Sequence, residues 1–157
     1  MTHEPGTFPP IERVLPHEGP SILLARVVEH EADRTVCLAA PERAGLYRGD
    51  DGGVPSWVGL EMMAQCMAAH AGLRAHAKGE PPSIGFLLGT RRLKLLAAEL
   101  PLDRSLEVHA ERLWGDGRMV SFTCSIREAD GGAALVTGNV NAYVPDDREL
   151  RRLGLER

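Results

Sequence analysis

Two short segments of the chain carry residue types suited to moving protons. The first is Leu15-Pro16-His17-Glu18-Gly19-Pro20, a histidine set between prolines just ahead of an apolar run. Proline fixes φ and excludes helix locally, so this imidazole is expected on a stiff loop. The second is Glu61, which stands among Leu60, Met62, Met63 and Ala64. A carboxylate in that setting must be solvated by a pocket, paired or protonated, because burying it bare is costly. Gln65, one helical turn on, is placed to hydrogen-bond it. Imidazole near neutral pH serves as a general base, and a carboxyl whose pKa an apolar setting raises serves as a general acid. Against these stand plainer readings: a bystander histidine, and a glutamate that merely favours the positive end of a helix.

Glu61 needs an element to hold it, and the clearest helix in the chain surrounds it. Pro55-Ser56 forms the N-terminal boundary, with the Ser56 hydroxyl as the expected cap. From Trp57 to Lys78 no proline intervenes, and Gly79 stands where a C-terminal cap belongs. Leu60, Met63, Ala64, Met67, Ala68, Ala71 and Gly72 fall at three-and-four spacing on one broad face. The small residues on that face would let a sheet approach the helix axis closely, and apolar character nearly all round fits a helix wrapped on most sides. The helix methionines and Trp57 read as core or pocket lining, and His70, His76 and His109 as structural or exposed.

The remaining pattern is that of strands. Residues 21–29 and 34–39 form two candidates with Glu31-Ala32-Asp33 as the turn between them, and residues 41–53 form a loop. After the helix, residues 83–96 form a long strand interrupted by Gly85 and Gly89, followed by strands at 106–114, 119–128 and 134–144. Gly115-Asp116-Gly117 and Asp130-Gly131-Gly132 supply the hairpin turns. Residues 1–10 read as a flexible arm and 145–157 as a charged C-terminal tail with room for one short helix. The expected class is α+β in one domain over 1–157. A single helix cannot cover both faces of a sheet, so a strongly curved antiparallel sheet should wrap around it, paired with a second subunit.

Composition narrows the function. Eighteen Lys and Arg against 22 Asp and Glu give a formal charge of −4, which argues against nucleic-acid or anionic-membrane surfaces. No run approaches the ~18 apolar residues of a membrane span, and the first ten residues do not resemble a signal peptide, so the expected location is cytoplasmic. Cys37, Cys66 and Cys124 form no CxxC pair and read as free, buried thiols. No metal-ligand spacing is seen, and no metal or cofactor is expected.

The Leu-Pro-His motif ending in Pro20, together with a helix start in which Glu61 follows Pro55 by six positions and precedes Ala64-Gln65, resembles the 3-hydroxyacyl-[acyl-carrier-protein] dehydratases of the hot-dog superfamily. The resemblance covers roughly residues 11–144, and the segments Trp57–Gln65 and Ile84–Arg92 look closest to an aryl-polyene-pathway branch. It implies a hot-dog fold, His17 as base, Glu61 as acid, and backbone N–H groups of Ser56 and Trp57 as an oxyanion site. Gly85, Phe86, Leu87, Leu88 and Gly89 would line a tunnel for the phosphopantetheine arm of an acyl carrier protein, with Arg91 and Arg92 near that acidic carrier. In that family the histidine of one subunit faces the glutamate of the other across the two-fold axis. Two departures stand out: Ser56 where the family has glycine, and Ala25-Arg26 where it has Asp-Arg. Competing readings are an acyl-thioester hydrolase of the same fold, and a weakly active partner subunit in a heterodimeric dehydratase.

Overall fold

The computed structural model describes residues 7–155. Its elements in chain order are α1 (Ile11–Val14), β1 (Leu24–His30), β2 (Arg34–Ala39), β3 (Val54–Pro55), α2 (Gly59–Ala77), β4 (Phe86–Leu95), β5 (Glu99–Leu100), β6 (Leu106–Gly115), β7 (Met119–Glu128), β8 (Ala134–Tyr143) and α3 (Asp147–Arg152). Six strands make one antiparallel sheet in the order β1-β2-β6-β7-β8-β4, and β3 pairs with β5 apart from it. Alternation along β6 and β7 turns Leu106, Val108, Ala110, Cys124 and Ile126 inward. Those side chains meet Met62, Met63, Cys66, Ala69 and Leu73 of α2, so the curved sheet wraps the helix as expected. It does not do so on the expected small-residue face, where Leu60, Ala64 and Ala68 are half-buried and Ala71 is exposed. The three cysteines are free and buried. Among the described residues no helix is long and apolar enough to cross a membrane.

The two ends of α2 differ from their expected form in instructive ways. Ser56 does not cap it: residues Ser56–Val58 form a 3-10 turn ahead of the helix, and Val58, at the cap position, contributes no side-chain bond. Gly79 does end it, with φ +73°. The Gly79 N–H donates to the His76 carbonyl and the Glu80 N–H to the Ala75 carbonyl, the paired bonds of a Schellman motif.

Ahead of β1, the expected flexible arm is only partly within view. Residues 1–6 lie outside the described residues, whereas Phe8 packs against the core. The short helix α1 was not legible, yet it seals the loop that carries His17. Ile11, Val14 and Leu15 are buried, and α1 lies so close to α2 that a Cβ at Gly72 would stand 1.8 Å from the Val14 carbonyl oxygen. Only glycine permits that approach.

Candidate active site

His17 and Glu61 arrive at one place from opposite sides. The chain leaves α1 at Leu15, turns through Pro16, and enters a short 3-10 turn at Gly19–Ser21 that leads into β1. This path lays the His17 ring against the first turn of α2. His17 Nε2 is 3.5 Å from Glu61 Oε1, with the side chains 28% and 39% exposed. His17 Nδ1 is buried and has no partner among the described residues. Nε2 is therefore the nitrogen through which His17 meets other groups. The two residues belong to one chain, which corrects the expectation of a pair formed across a two-fold axis. Here α1 and the proline-bounded loop are anchored on the same helix that carries the glutamate.

Gln65 holds the arrangement together. It is fully buried, and its Nε2 donates both to Glu61 Oε1 at 2.9 Å and to the Ser21 carbonyl at 2.7 Å. Its Oε1 accepts from the Leu23 N–H at 2.9 Å. One amide thus ties the carboxylate to the end of the histidine loop, with each polar atom satisfied.

The electrostatics of Glu61 depart from the expected sign. Burial pushes its carboxyl up, but the facing His17 ring, as donor and as charge, and the Gln65 amide together outweigh burial. The group sits below the ordinary carboxylate value, not above it. An apolar sequence neighbourhood suggested the opposite because it does not show a histidine that arrives from 44 residues earlier in the chain.

The pair lines a cavity of about 490 Å³, a size suited to a small-molecule chain. One wall is the small-residue stripe Ala64, Ala68, Ala71 and Ala75 of α2, and the other includes Ile84, Leu87, Val120 and Phe122. Gly85 and Leu87 border it, whereas Phe86, Leu88 and Gly89 do not. Strand alternation points Phe86 and Leu88 the other way, and the register shift between Leu87 and Gly89 breaks the pattern beyond. Leu88 is exposed on the free edge strand, as are Arg91 and Arg92.

The oxyanion donors expected at the helix start fare unequally. The Ser56 N–H already donates to the Ala98 carbonyl at 3.0 Å, because β3 and β5 pair at that point, so it is not available. Trp57 lies one turn ahead of Glu61, and its ring is 53% exposed against Tyr47, not buried in core or pocket. Sequence reasoning missed His70, Arg74 and Arg112, which also border the cavity. Only spacing along α2 hinted at the first two, and Arg112 comes from a strand with no signal at all.

A long helix wrapped by a curved six-stranded antiparallel sheet is the hot-dog fold. Within that class, the chain belongs to the ApeP-like dehydratase family: the family model described as ApeP dehydratase matches residues 9–153. A chain of the dehydratase heterocomplex ApeI:P from Xenorhabdus doucetiae is 31% identical, with 95% of this chain and 99% of that chain covered and a TM-score of 0.83. More distant likenesses show the fold alone. One is a hypothetical thioesterase with coenzyme A from Streptococcus pneumoniae (12% identity, 76% and 84% covered, TM-score 0.58). Another is an HP0420 homologue from Helicobacter felis (12% identity, 87% and 90% covered, TM-score 0.62). No curated protein matches the sequence.

Proposed function

We propose that the protein removes water from a 3-hydroxyacyl thioester carried on acyl carrier protein, giving the trans-2-enoyl thioester. The observation that carries this reading is the His17–Glu61 pair at 3.5 Å in the lining of a cavity that also has an apolar wall. His17 Nε2 takes the proton from C2, the C3–O bond breaks, and Glu61 gives the departing hydroxyl its proton, so the leaving group is water. His17 Nδ1 keeps its proton throughout. In the empty site Glu61 is ionised at neutral pH, as its lowered pKa requires. Entry of an acyl chain expels water from around Glu61, which favours its neutral carboxyl, the form that can give a proton. After the reaction the imidazolium and carboxylate face each other again, and the proton returns across the gap. Charge developing on the thioester oxygen needs fixed donors. With the Ser56 N–H engaged, that role falls to the Trp57 N–H at the positive end of α2. The chemistry itself calls only for a base, an acid and such donors, and no cofactor enters the reading.

The proposed setting is the cytoplasm, for which three free, buried cysteines suit a reducing compartment. The proposed partners are the carrier, with Arg91 and Arg92 beside it and its phosphopantetheine arm passing Gly85 and Leu87, and a second hot-dog subunit. The free edge of β4, with Leu87, Leu88, Leu95 and Leu96 exposed, supports the second subunit. So does the heterocomplex in which the solved relative occurs. Light scattering that shows only a 17.0 kDa particle at micromolar concentration removes the dimer. Mass spectrometry of 3-hydroxyacyl-carrier species tests the reaction. Loss of water by the protein alone supports the full reading, and loss of water only after a homologous dehydratase is added supports the partner-subunit alternative. Release of free thiol supports the hydrolase.

A further inference from the structure

The cavity that His17 and Glu61 line runs against the overall charge of the chain. That charge is −4, yet Arg74, Lys78 and Arg112 all border the cavity, and Glu80 is the one carboxylate besides Glu61 that does so among the described residues. The three cations come from two elements. Arg74 stands one turn after His70 on α2, and Lys78 follows at the C-terminal cap of that helix. Arg112 is the unusual member. On β6 the side chains of Leu106, Val108 and Ala110 turn toward the helix and are buried, and alternation puts Arg112 next on that inner face. Among the described residues its guanidinium makes a single side-chain bond, from Nη2 to the Gly115 carbonyl at 3.3 Å, although the group carries several donors. None of the three cations forms an ion pair with a carboxylate among the described residues. After burial and the charge of His30, the charges of Arg74 and Arg112 help hold the His70 ring down at about 4, so both guanidiniums approach one buried ring. Asp33 acts on that ring in the opposite sense but does not border the cavity.

Cations gathered on one cavity repel each other, and turning an arginine inward costs hydration, unless an anion offsets both. Guanidinium forks bind phosphate or carboxylate through paired bonds, and an ammonium adds a point charge. The spacing from the acid–base pair narrows where such an anion would come from. Arg74 lies thirteen residues beyond Glu61 on α2, about 20 Å by the helical rise. Between them the wall is Ala64, Ala68 and Ala71, which offers no polar group and little bulk to a chain laid along the helix. An extended phosphopantetheine arm spans about 15 Å from sulfur to phosphorus, at the ~3.5 Å that three backbone bonds cover. The long arginine side chain closes the remainder.

We propose that Arg74, Lys78 and Arg112 form an anion subsite that takes the phosphate or carboxylate of a thioester whose carbonyl lies beside His17 and Glu61. The span matches the phosphate of the carrier's arm. A carboxylate that ends a long acyl chain has the same chemistry on the other side of the thioester, and the test separates the two. The proposal rests on the dehydratase reading in one respect, that a thioester binds beside the pair.

The test uses saturated acyl thioesters, which bind without dehydration, built on pantetheine or phosphopantetheine and ending in methyl or carboxylate. Calorimetry gives two affinity ratios, phosphorylated over unphosphorylated and carboxylate-ended over methyl-ended. Combining Arg74→Gln with Lys78→Gln removes two exposed charges and leaves the core untouched. The phosphate ratio should then fall by about tenfold, the size of one charge-assisted hydrogen bond, and the carboxylate ratio should hold. A fall in the carboxylate ratio alone keeps the subsite and assigns it to the acyl end. No fall in either ratio overturns the proposal. Arg127→Gln removes an exposed charge from β7, away from the cavity lining, and should leave both ratios as they are. An equal fall there would reduce the effect to the general field of the protein and would also overturn the proposal. In a folded Arg112→Gln variant the same ratio should fall too, and a ratio that holds overturns the three-residue assignment. Wild-type turnover of 3-hydroxyacyl chains is measured separately. If nothing is dehydrated while the affinity ratios behave as expected, the dehydratase reading falls and the anion subsite stands.

Discussion

His17 and His70 border one cavity and answer two different questions about it. Each has one engaged and one unpartnered ring nitrogen, in opposite order: His17 offers Nε2 to a carboxylate, and His70 offers Nδ1 to a hydroxyl. A proton taken up at His17 meets Glu61 at 3.5 Å. A proton taken up at His70 meets only Thr35, with His30, Arg74 and Arg112 adding repulsion that Asp33 offsets in part. The first arrangement pairs the ring with a carboxylate, and the second keeps it neutral. The difference lies in the partner and the burial, since the side chain is the same.

The largest expected effects break the first half of that contrast. His17→Ala and Glu61→Gln should each lower dehydration by about 10²–10⁴ while the protein stays folded, followed as enoyl thioester formation. Near wild-type turnover in either variant removes the role assigned to that residue. Because the pair lies within one chain, co-refolding His17→Ala with Glu61→Ala should restore nothing, even when heterodimers are confirmed. Recovery to about a quarter of wild-type activity, the fraction that random two-fold pairing allows, would instead place the pair across subunits.

A smaller effect concerns how the first site is held. Gln65→Leu removes the donor to Glu61 and leaves the Leu23 N–H and the Ser21 carbonyl without their partner. The expected cost is about 1–3 kcal/mol in stability by chemical denaturation. It should also raise the Glu61 pKa, because one of the groups that lowers it is gone. The corresponding limb of the pH–rate profile should move to higher pH, a shift that a merely structural glutamine would not produce.

A pH-dependent effect sharpens the second half. His70 has its pKa lowered from 6.5 to about 4 in the fold. Between those values the unfolded chain binds a proton that the native protein does not, so stability is full above about pH 6.5 and declines as the pH falls toward 4. His30, lowered as well by burial and by Arg74, adds to the same decline. Replacing His70 with leucine should flatten it by an amount on the order of 3 kcal/mol at most, read from denaturation midpoints across that range. An unchanged slope would mean that His70 charges without cost, and that it does not stand in the dry, cationic setting described.

The strands and the long helix were legible because each declares itself through local period: alternation in residues 106–128, three-and-four spacing from Leu60 to Gly72, and turn residues at Asp116-Gly117 and Asp130-Gly131. Arg34–Ala39 and Met119–Glu128 fall as strands where they were expected. The two residues suited to proton chemistry were also legible, since a histidine between prolines and a carboxylate among apolar neighbours are local facts. The short helix α1 was not legible, because four residues carry too little pattern and its stability comes from docking on Gly72.

Relations between segments were decided only in three dimensions. Whether Ser56 keeps a free N–H depends on Ala98, from the strand pair β3 and β5 that two residues each could not announce. Which of residues 85–89 face the cavity depends on the register of β4 on β8. The sign of the Glu61 shift depends on a loop 44 residues away in sequence, where burial alone would have raised it. Chemistry of residue types is written along the chain. The pKa values, the free donors and the open nitrogens depend on distances of a few ångströms between groups that the chain keeps far apart, and only packing sets those.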